Sequence, residues 1–501
     1  MDYLFSVIGT VLTVPSLLAI LVGTVFGLIF GILPGLGSVL AISIALPFTF
    51  TMDIMSSISL MLAIYCSSVY GGSLSAILIN TPGTPQSATT MFDGYPMTLQ
   101  GKADLAIGWA TGASLFGGLF SVSVLIFAAP QLAKFALKFG PEETFALICL
   151  ALTCIAGVSG GSILKGLLSG VIGLFLAVIG TDSMSGSSRF DYGVFELAAG
   201  VELIPVLVGV FALTEVFWRL GEKVSKTPMN ELKGGFRLAP FKEWALRWRT
   251  LIKSSIIGSL VGILPGTGAA TASFIAYSEA KRSGRFRENM GKGEPEGIVA
   301  SEASNNAVTG GALVPTLALG IPGDPVTAVM MSALIIQGIQ PGVRLFTDHG
   351  PLMHSVFFAL IICNIFMFFS GVFAARYVVK ILKIPEILLL NMVLILSLLG
   401  AFSVSGRLFD LVIVLIAGLG GFILRVTNVP LAPVVIGLVL GPIFEESLRQ
   451  GLIINDGNII AFFSFNHPIA LVLLSTTLAI ILKLTFKELC DSLKIKRGHN
   501  S

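Results

Sequence analysis

The chain has 501 residues, of which 54% are hydrophobic and only 12% are charged, and its formal net charge is +3. Soluble globular proteins carry roughly 25% charged residues, so this composition excludes an ordinary water-exposed fold. We expect a protein built into the lipid bilayer, and no nucleic-acid partner.

The N-terminal segment is apolar but is not predicted to be a signal peptide. Met1–Ile20 lacks the basic region and the small-residue cleavage site that such a leader needs. We expect residues 1–17 to remain in the protein as a peripheral or partly embedded helix.

Uncharged, mainly apolar runs follow along the whole chain. They are roughly 14 to 20 residues long, and the longer ones suffice to cross a hydrocarbon core. Examples are Ala110–Ala129, Gly166–Ile179, Val356–Ala375, Ile387–Leu399, Leu411–Leu424 and Ile469–Leu482. This pattern predicts an all-α polytopic integral membrane protein.

An internal repeat divides the chain. The string Gly31–Gly37 (GILPGLG) returns as Gly262–Gly268 (GILPGTG), and the turn Pro82–Pro85 (PGTP) returns as Pro322–Pro325 (PGDP). In the same order, Pro141-Glu142 returns as Pro385-Glu386. We therefore predict two homologous transmembrane repeats, a first half at 18–220 and a second half at 254–486.

Basic residues predict the topology. The linker 221–253 and the tail 487–501 are rich in Lys and Arg, so both are expected on the cytoplasmic side. If each GILPG string is the tip of a re-entrant hairpin, segment 277–302 also stays there. The halves then begin on opposite sides and form an inverted repeat. If the GILPG strings lie in simple spans instead, the number of membrane crossings changes, and with it the predicted orientation of the halves.

Two kinds of helix break per half predict the substrate site. Backbone groups freed by Gly and Pro inside a membrane must be satisfied by protein or by a watery cavity. In secondary transporters, half-helix N-termini bind an anion there, while unwound carbonyls bind the coupling cation. The alternative is that small residues only pack helices and that the prolines only kink them. The predicted substrate-binding residues are Pro34, Gly35, Gly37, Ser38, Ser73, Asn80, Thr81, Pro82, Gly83 and Thr84 in the first half, and Pro265, Gly266, Thr267, Gly268, Asn305, Asn306, Pro322, Gly323 and Asp324 in the second half.

Asp324 is the ionisable residue of these breaks, and Thr84 occupies its place in the first half. An ionisable residue at membrane depth indicates a function. We predict sodium coordination by Asp324 and Asn306, or proton coupling. The alternative is that Asp324 caps the following helix.

No other pattern predicts a catalytic or metal site. The five Cys have no disulfide or zinc spacing, the residues His349, His354 and His467 have no ligand spacing, and no nucleotide-binding loop occurs. We expect no enzyme activity and no cofactor besides the coupling ion. Arg189, Asp191, Glu445, Glu446 and Arg449 are expected to form structural ion pairs.

Several strings are similar to the signature of the large, about 12-span membrane subunit of the tripartite tricarboxylate transporter family. They are 70–73 (YGGS), 80–85 (NTPGTP), 93–96 (DGYP), 100–103 (QGKA), 291–297 (GKGEPEG), 302–307 (EASNNA) and 320–325 (GIPGDP). The resemblance extends over about residues 20–480. The string usual in the family as RFTFG reads RFDYG at 189–193, so the resemblance assigns no role there.

The resemblance implies a three-part uptake system in the bacterial inner membrane. This chain would be the permease, with a small four-span membrane subunit and a periplasmic solute-binding protein as partners. An ion gradient, sodium in the best-known case, would drive uptake of citrate or a related small carboxylate. The alternatives are a single-component carboxylate carrier, a channel or a non-transporting membrane scaffold.

Overall fold

The computed structural model describes residues 2–158, 162–182, 184–221, 235–266 and 268–498. Helices dominate this part of the chain, as predicted. In the first half of the sequence they are α1 (Asp2–Val11), α2 (Val14–Ile32), α3 (Gly37–Thr49), α4 (Ile54–Ile79), α5 (Met91–Leu99), α6 (Ala103–Ala136), α7 (Pro141–Val158), α8 (Ile163–Ala177), α9 (Phe195–Ala198), α10 (Leu203–Leu207) and α11 (Thr214–Gly221). They continue as α12 (Phe241–Ile263), α13 (Gly268–Ser283), α14 (Pro295–Leu319), α15 (Pro325–Ile336), α16 (Val343–Asp348), α17 (Gly350–Ala374), α18 (Val378–Ile381), α19 (Glu386–Ser405), α20 (Leu408–Val426), α21 (Ala432–Ile454) and α22 (Pro468–Gly498).

Short elements complete the described fold. Three 3-10 helices span Pro85–Thr90, Arg287–Asn289 and Ile459–Phe463, and a π-helical segment, Val208–Leu213, follows α10. The strands β1 (Gly180–Thr181) and β2 (Ser188–Arg189) pair antiparallel, with Gly180 opposite Arg189.

Eight helices in the described residues are long and apolar enough to cross a membrane. They are Val14–Ile32, Ile54–Ile79, Ala103–Ala136, Leu203–Gly221, Gly350–Ala374, Ile387–Val404, Leu408–Val426 and Pro468–Phe486. An all-α polytopic membrane protein is therefore confirmed.

The chain folds into two compact units that cut across the predicted halves. Unit one comprises Met1–Ala133 and Phe211–Gly406, and unit two comprises Lys134–Val210 and Arg407–Ser501. The first predicted half contributes 18–133 and 211–220 to unit one and 134–210 to unit two, and the second contributes 254–406 to unit one and 407–486 to unit two. The assignment of the halves as inverted repeats stays a prediction.

Some predicted boundaries fall inside helices. The boundary at residue 18 lies within α2, because Thr13 caps that helix and proline occupies its first turn. The boundary at 254 lies within α12, which begins after Pro240. Segment 277–302 contains the end of α13, the 3-10 helix Arg287–Asn289 and the start of α14.

Both LPG strings form the same turn in unit one. α2 ends at Leu33 (φ −80°, ψ 115°) and α12 ends at Leu264 (φ −80°, ψ 113°). The glycine after each proline has positive φ, +84° at Gly35 and +81° at Gly266. Glycine adopts this conformation without the steric cost that a side chain adds. Each string therefore ends one helix and allows the next to begin two residues later.

The PGxP strings also form related breaks. α4 ends at Asn80 (φ 54°, ψ 29°) and α14 ends at Gly320 (φ 69°, ψ 24°), both left-handed. The proline two residues later cannot continue either helix. A 3-10 helix starts after the first break, and α15 starts after the second.

The segments after the breaks contact elements of the opposite predicted half. The 3-10 helix Pro85–Thr90 packs against α13 and α14, while α15 packs against α3 and α4. α4 is buried along its length, and so is α14. These two helices form the polar centre of unit one.

Close glycine contacts join the helices of unit two. α21 packs against α8 and α7, and α22 packs against α7. A Cβ atom at Gly173 of α8 or at Gly437 of α21 would overlap backbone atoms of the opposite helix. Small residues allow this approach, as is usual between membrane helices.

Candidate functional site

A buried carboxylate joins the two central helices of unit one. Glu302 on α14 is fully buried, and its Oε1 accepts hydrogen bonds from Ser73 Oγ of α4 (2.5 Å) and from Thr90 Oγ1. Its Oε2 accepts a hydrogen bond from Ser114 Oγ of α6 (2.9 Å). All three donors are hydroxyl groups. The hydroxyl dipoles would therefore stabilise the charge of an ionised Glu302. None of these contacts is an ion pair.

Two asparagines lie one helical turn beyond Glu302. Asn305 is fully buried, and neither its Nδ2 nor its Oδ1 has a hydrogen-bond partner in the described structure. Asn306 Nδ2 donates to the Glu302 carbonyl oxygen (3.3 Å), whereas its Oδ1 has no described partner. Unpaired buried polar atoms are costly and uncommon. These amide groups are therefore suited to contact a bound ligand.

More buried polar atoms without described partners lie on α14 and on the 3-10 helix that packs against it. They include the hydroxyls of Ser301 and Ser304 on α14, Thr89 Oγ1, and Gln86 Oε1. Thr89 and Gln86 belong to the 3-10 helix after the first break, which Ser273 of α13 ties down by donating to the Gln86 carbonyl oxygen (2.9 Å). We define Glu302, Asn305 and Asn306 as the central polar cluster.

Asp324 is engaged by protein donors on both carboxylate oxygens. Its Oδ1 accepts from Thr327 N (2.8 Å) and Thr327 Oγ1 (2.9 Å), which makes Asp324 the N-cap of α15. Its Oδ2 accepts from Tyr65 OH of α4 (2.5 Å). The capping alternative is therefore confirmed, and a further role of Asp324 in binding a cation stays a proposal.

Replacement of Asp324 by Ala is expected to lower stability. Loss of the cap costs about 1 kcal/mol, and the buried Tyr65 hydroxyl left without its acceptor costs about 1–3 kcal/mol more. Asp324→Asn retains an oxygen for Thr327 and is expected to stay close to the wild-type thermal midpoint in detergent. Equal midpoints for Asp324→Ala and the wild type would contradict the capping role.

The two LPG turns have different partners. In the first, the Pro34 carbonyl oxygen accepts from Arg219 Nη2 (2.6 Å), and Arg219 also pairs with Glu215 on α11 (2.8 Å). In the second, Gly266 N donates to the Gly323 carbonyl oxygen of the second break (2.8 Å). The second LPG turn thus contacts the break of its own half, while an arginine contacts the first LPG turn.

The other predicted residues have mainly local roles. Ser38 is buried without a described hydroxyl partner, and Thr84 Oγ1 faces Ser87 Oγ (3.3 Å). Thr81 Oγ1 donates to the Ile79 carbonyl oxygen (3.2 Å), and Asn80 is exposed. Thr267 lies outside the described residues. The remaining positions belong to the backbone of the four turns: Gly37, Pro82, Gly83, Pro265, Gly268 and Pro322.

Glu302 and Arg219 are not among the residues predicted from sequence to bind the substrate or the cation. Glu302 has a detectable signal, because it is the one charged residue in the run 297–323. The sequence gives less indication of a role for Arg219, because this residue directly precedes the basic linker and cannot be distinguished from the basic residues of the linker by sequence. Its contact with Pro34 joins positions 185 residues apart.

The predicted ion pairs of unit two are largely confirmed. Arg189 forms a bidentate salt bridge with Glu445 (2.6 and 3.2 Å), and Arg449 forms a salt bridge with Asp182 (2.7 Å). Asp191 instead accepts from Ser188 Oγ (2.5 Å). Hydrogen bonds from Arg449, Ser185 Oγ and a backbone amide hold the pKa of Asp182 well below its usual range.

Comparisons with known proteins agree with this architecture. A family model described as the tripartite tricarboxylate transporter TctA family matches residues 17–436. An Agrobacterium vitis protein described as "Uncharacterized 52.8 kDa protein in TAR-I ttuC' 3'region" is 37% identical over 473 residues, which cover 94% of this chain and 93% of that protein. A second, "Uncharacterized protein in TAR-II ttuC' 3'region" of the same species, is 34% identical over 225 residues, or 45% of this chain and 92% of that protein. No solved structure matches significantly. With its helical membrane architecture and a family match that extends over most of its length, the chain belongs to the tripartite tricarboxylate transporter TctA family, the large membrane subunits of such transporters.

Proposed function

We propose that this chain is the permease subunit of a binding-protein-dependent secondary transporter. It takes up small carboxylates of the citrate or tricarboxylate type and is driven by a cation gradient, for which we propose sodium. The observation that carries the proposal is the central polar cluster. It combines a buried carboxylate with amide atoms that have no described hydrogen-bond partner, on α14, the helix that ends at the second break.

Asn305 offers groups for both the substrate and the ion. Its Nδ2 is a hydrogen-bond donor and suits a substrate carboxylate, whereas its Oδ1 is an acceptor and suits a cation. This arrangement supports coupled binding, because the same side chain contacts both species.

The proposed cation lies at Glu302, Asn305 and Asn306. These residues supply carboxylate and amide oxygens, which are suitable ligands for a hard cation. A cation there also offsets the cost of burying the Glu302 charge. Asp324 is a weaker candidate ligand, because its carboxylate caps the backbone of α15, whereas Glu302 lies within one helical turn of Asn305 and Asn306 on the same helix. We therefore retain Asn306 from the sequence-based prediction and propose Glu302 in place of Asp324.

The proposed partners are a small four-span membrane subunit and a periplasmic solute-binding protein. The proposed location is the bacterial inner membrane with a cytoplasmic C-terminus. The family membership supports the three-part assembly, and the placement of Lys and Arg in the linker and tail supports the orientation.

Reconstitution of all three components in proteoliposomes tests this proposal. Uptake of labelled citrate or another tricarboxylate is expected only with loaded binding protein, and it should follow an imposed sodium gradient more closely than a proton gradient. Omission of the binding protein is the control. Undiminished uptake by this chain alone would favour a single-component carrier. Non-saturating flux would favour a channel, and no flux under any gradient would favour a scaffold.

A further inference from the structure

Unit two contains a group of side chains of metal-ligating types that shares no residue with the central polar cluster. Ligand atoms of Glu142, Glu143 and His467 lie within 4.8 Å of one another. We propose that these three residues bind a divalent transition-metal ion of the Zn²⁺ or Mn²⁺ type, and that the ion joins the start of α7 to the start of α22.

Local backbone structure brings the ligands together. Pro141 begins α7, so Glu142 and Glu143 occupy its first turn, where the helix dipole favours negative charge. His467 immediately precedes Pro468, the first residue of α22, and its carbonyl oxygen accepts from Leu471 N (2.9 Å). The two helices pack together around buried Phe462, whose ring contacts Phe145 edge-on (5.6 Å between centroids).

The distances are longer than those of a hydrogen-bonded ion pair. His467 Nδ1 lies 3.5 Å from Glu143 Oε1, and His467 Nε2 lies 4.0 Å from Glu142 Oε1. Direct hydrogen bonds between such atoms are about 2.7–3.2 Å long. Two ligand atoms at about 2.1 Å from one metal ion can be separated by up to about 4.2 Å. An imidazole binds a given ion through one nitrogen, so His467 uses one of these two atoms, and separations of up to 4.8 Å between the three ligand atoms must shorten when the ion binds.

Charge and burial also favour a cation. Glu142 is 2% exposed and Glu143 is 7% exposed, whereas His467 is 25% exposed. One imidazolium offsets at most one of the two carboxylate charges, so negative charge remains in a buried site. A divalent ion neutralises both carboxylates and leaves the imidazole neutral, which is its ligand form.

Neighbouring groups already orient the two carboxylates. Asn455 Nδ2 donates to Glu142 Oε1 (2.7 Å), and Gly140 N donates to Glu143 Oε2 (2.8 Å). Glu142 Oε2 and Glu143 Oε1 accept no hydrogen bond from the described residues. Metal-binding carboxylates are typically held in this way by outer hydrogen bonds.

The ligand set limits the choice of ion. Imidazole suits Zn²⁺ and other transition metals, whereas Mg²⁺ and Ca²⁺ prefer oxygen ligands alone. Partial exposure of His467 leaves room for water as a further ligand. The proposed ion connects segments of unit two that are more than 300 residues apart in sequence, so its expected role is to stabilise the fold of this unit.

Cobalt binding tests the site without requiring transport. The full chain is purified with an affinity tag that contains no histidine, treated with chelator and titrated with Co²⁺. We expect visible absorption bands that saturate at one equivalent and disappear when Zn²⁺ is added. Zn²⁺ is also expected to raise the thermal midpoint, because it binds the folded state.

His467→Gln and Glu143→Gln should each weaken Co²⁺ binding at least tenfold and abolish the Zn²⁺-dependent rise in midpoint. His354→Gln is the control, since this exposed histidine lies on α17 of unit one. Thermal midpoints measured without metal show whether each variant folds. If one of the two variants does not fold, Glu142→Gln is measured in its place. Wild-type chain that binds no Co²⁺, or variants with unchanged binding, would overturn the proposal in favour of a metal-free polar cluster.

Discussion

Replacement of Glu302 by Gln is expected to weaken the apparent affinity for the coupling cation by about ten- to a hundredfold. Loss of one charged ligand from a desolvated site corresponds to about 1.5–3 kcal/mol, by analogy with hydrogen bonds to charged groups. Gln has nearly the same shape, and the hydroxyls of Ser73, Thr90 and Ser114 can rotate to accept from its amide. The chain should therefore fold. The measurement is tricarboxylate uptake against sodium concentration in the three-component system.

Two variants make this experiment specific. Glu288→Gln removes an exposed carboxylate from unit one and should leave the sodium dependence unchanged. Asp324→Asn should also retain it, because Asp324 acts as a helix cap. If Asp324→Asn loses sodium dependence and Glu302→Gln keeps it, the cation site lies at Asp324 and our assignment is wrong.

Asn305→Ala should weaken both substrate and cation affinity, since its amide is proposed to contact both.

Replacement of Gly83 by Ala is expected to abolish uptake. A Cβ atom at this position would overlap the Gly31 carbonyl oxygen and approach Gly72 Cα to 2.9 Å. Gly83 N also donates to the Gly72 carbonyl oxygen (3.2 Å), so the turn cannot move away without losing a hydrogen bond. Overpacking of this kind costs about 1–3 kcal/mol. The Gly323 turn is also tight, since a Cβ atom there would lie 2.6 Å from Ala312 Cα.

This result is measured as uptake together with membrane insertion and thermal midpoint. Gly83→Ala and Gly323→Ala should insert but show lowered midpoints and no transport. Gly420→Ala on α20 is the matched control, because a Cβ atom there meets nothing within 4 Å. Normal uptake by Gly83→Ala would show that the break tolerates movement, and it would remove the argument for a tightly packed turn.

Sequence alone determined the features that arise within a few residues. The two LPG turns were predictable because proline ends a helix and glycine tolerates positive φ, and both effects are local. Family membership was also predictable, because its motifs are contiguous strings. The cap formed by Asp324 was one of two predicted alternatives, and its partner Thr327 is only three residues away.

Only the tertiary structure decided which distant residues meet. Glu302 accepts hydrogen bonds from side chains 188 to 229 residues away, and Tyr65 lies 259 residues from Asp324. The division into two units that cut across the halves is likewise a result of packing. His467 has no ligand spacing in sequence, because its neighbouring carboxylates are brought to it by the contact between α7 and α22. Local dihedral preferences carry no information about such contacts, since these depend on which buried helix faces pack together.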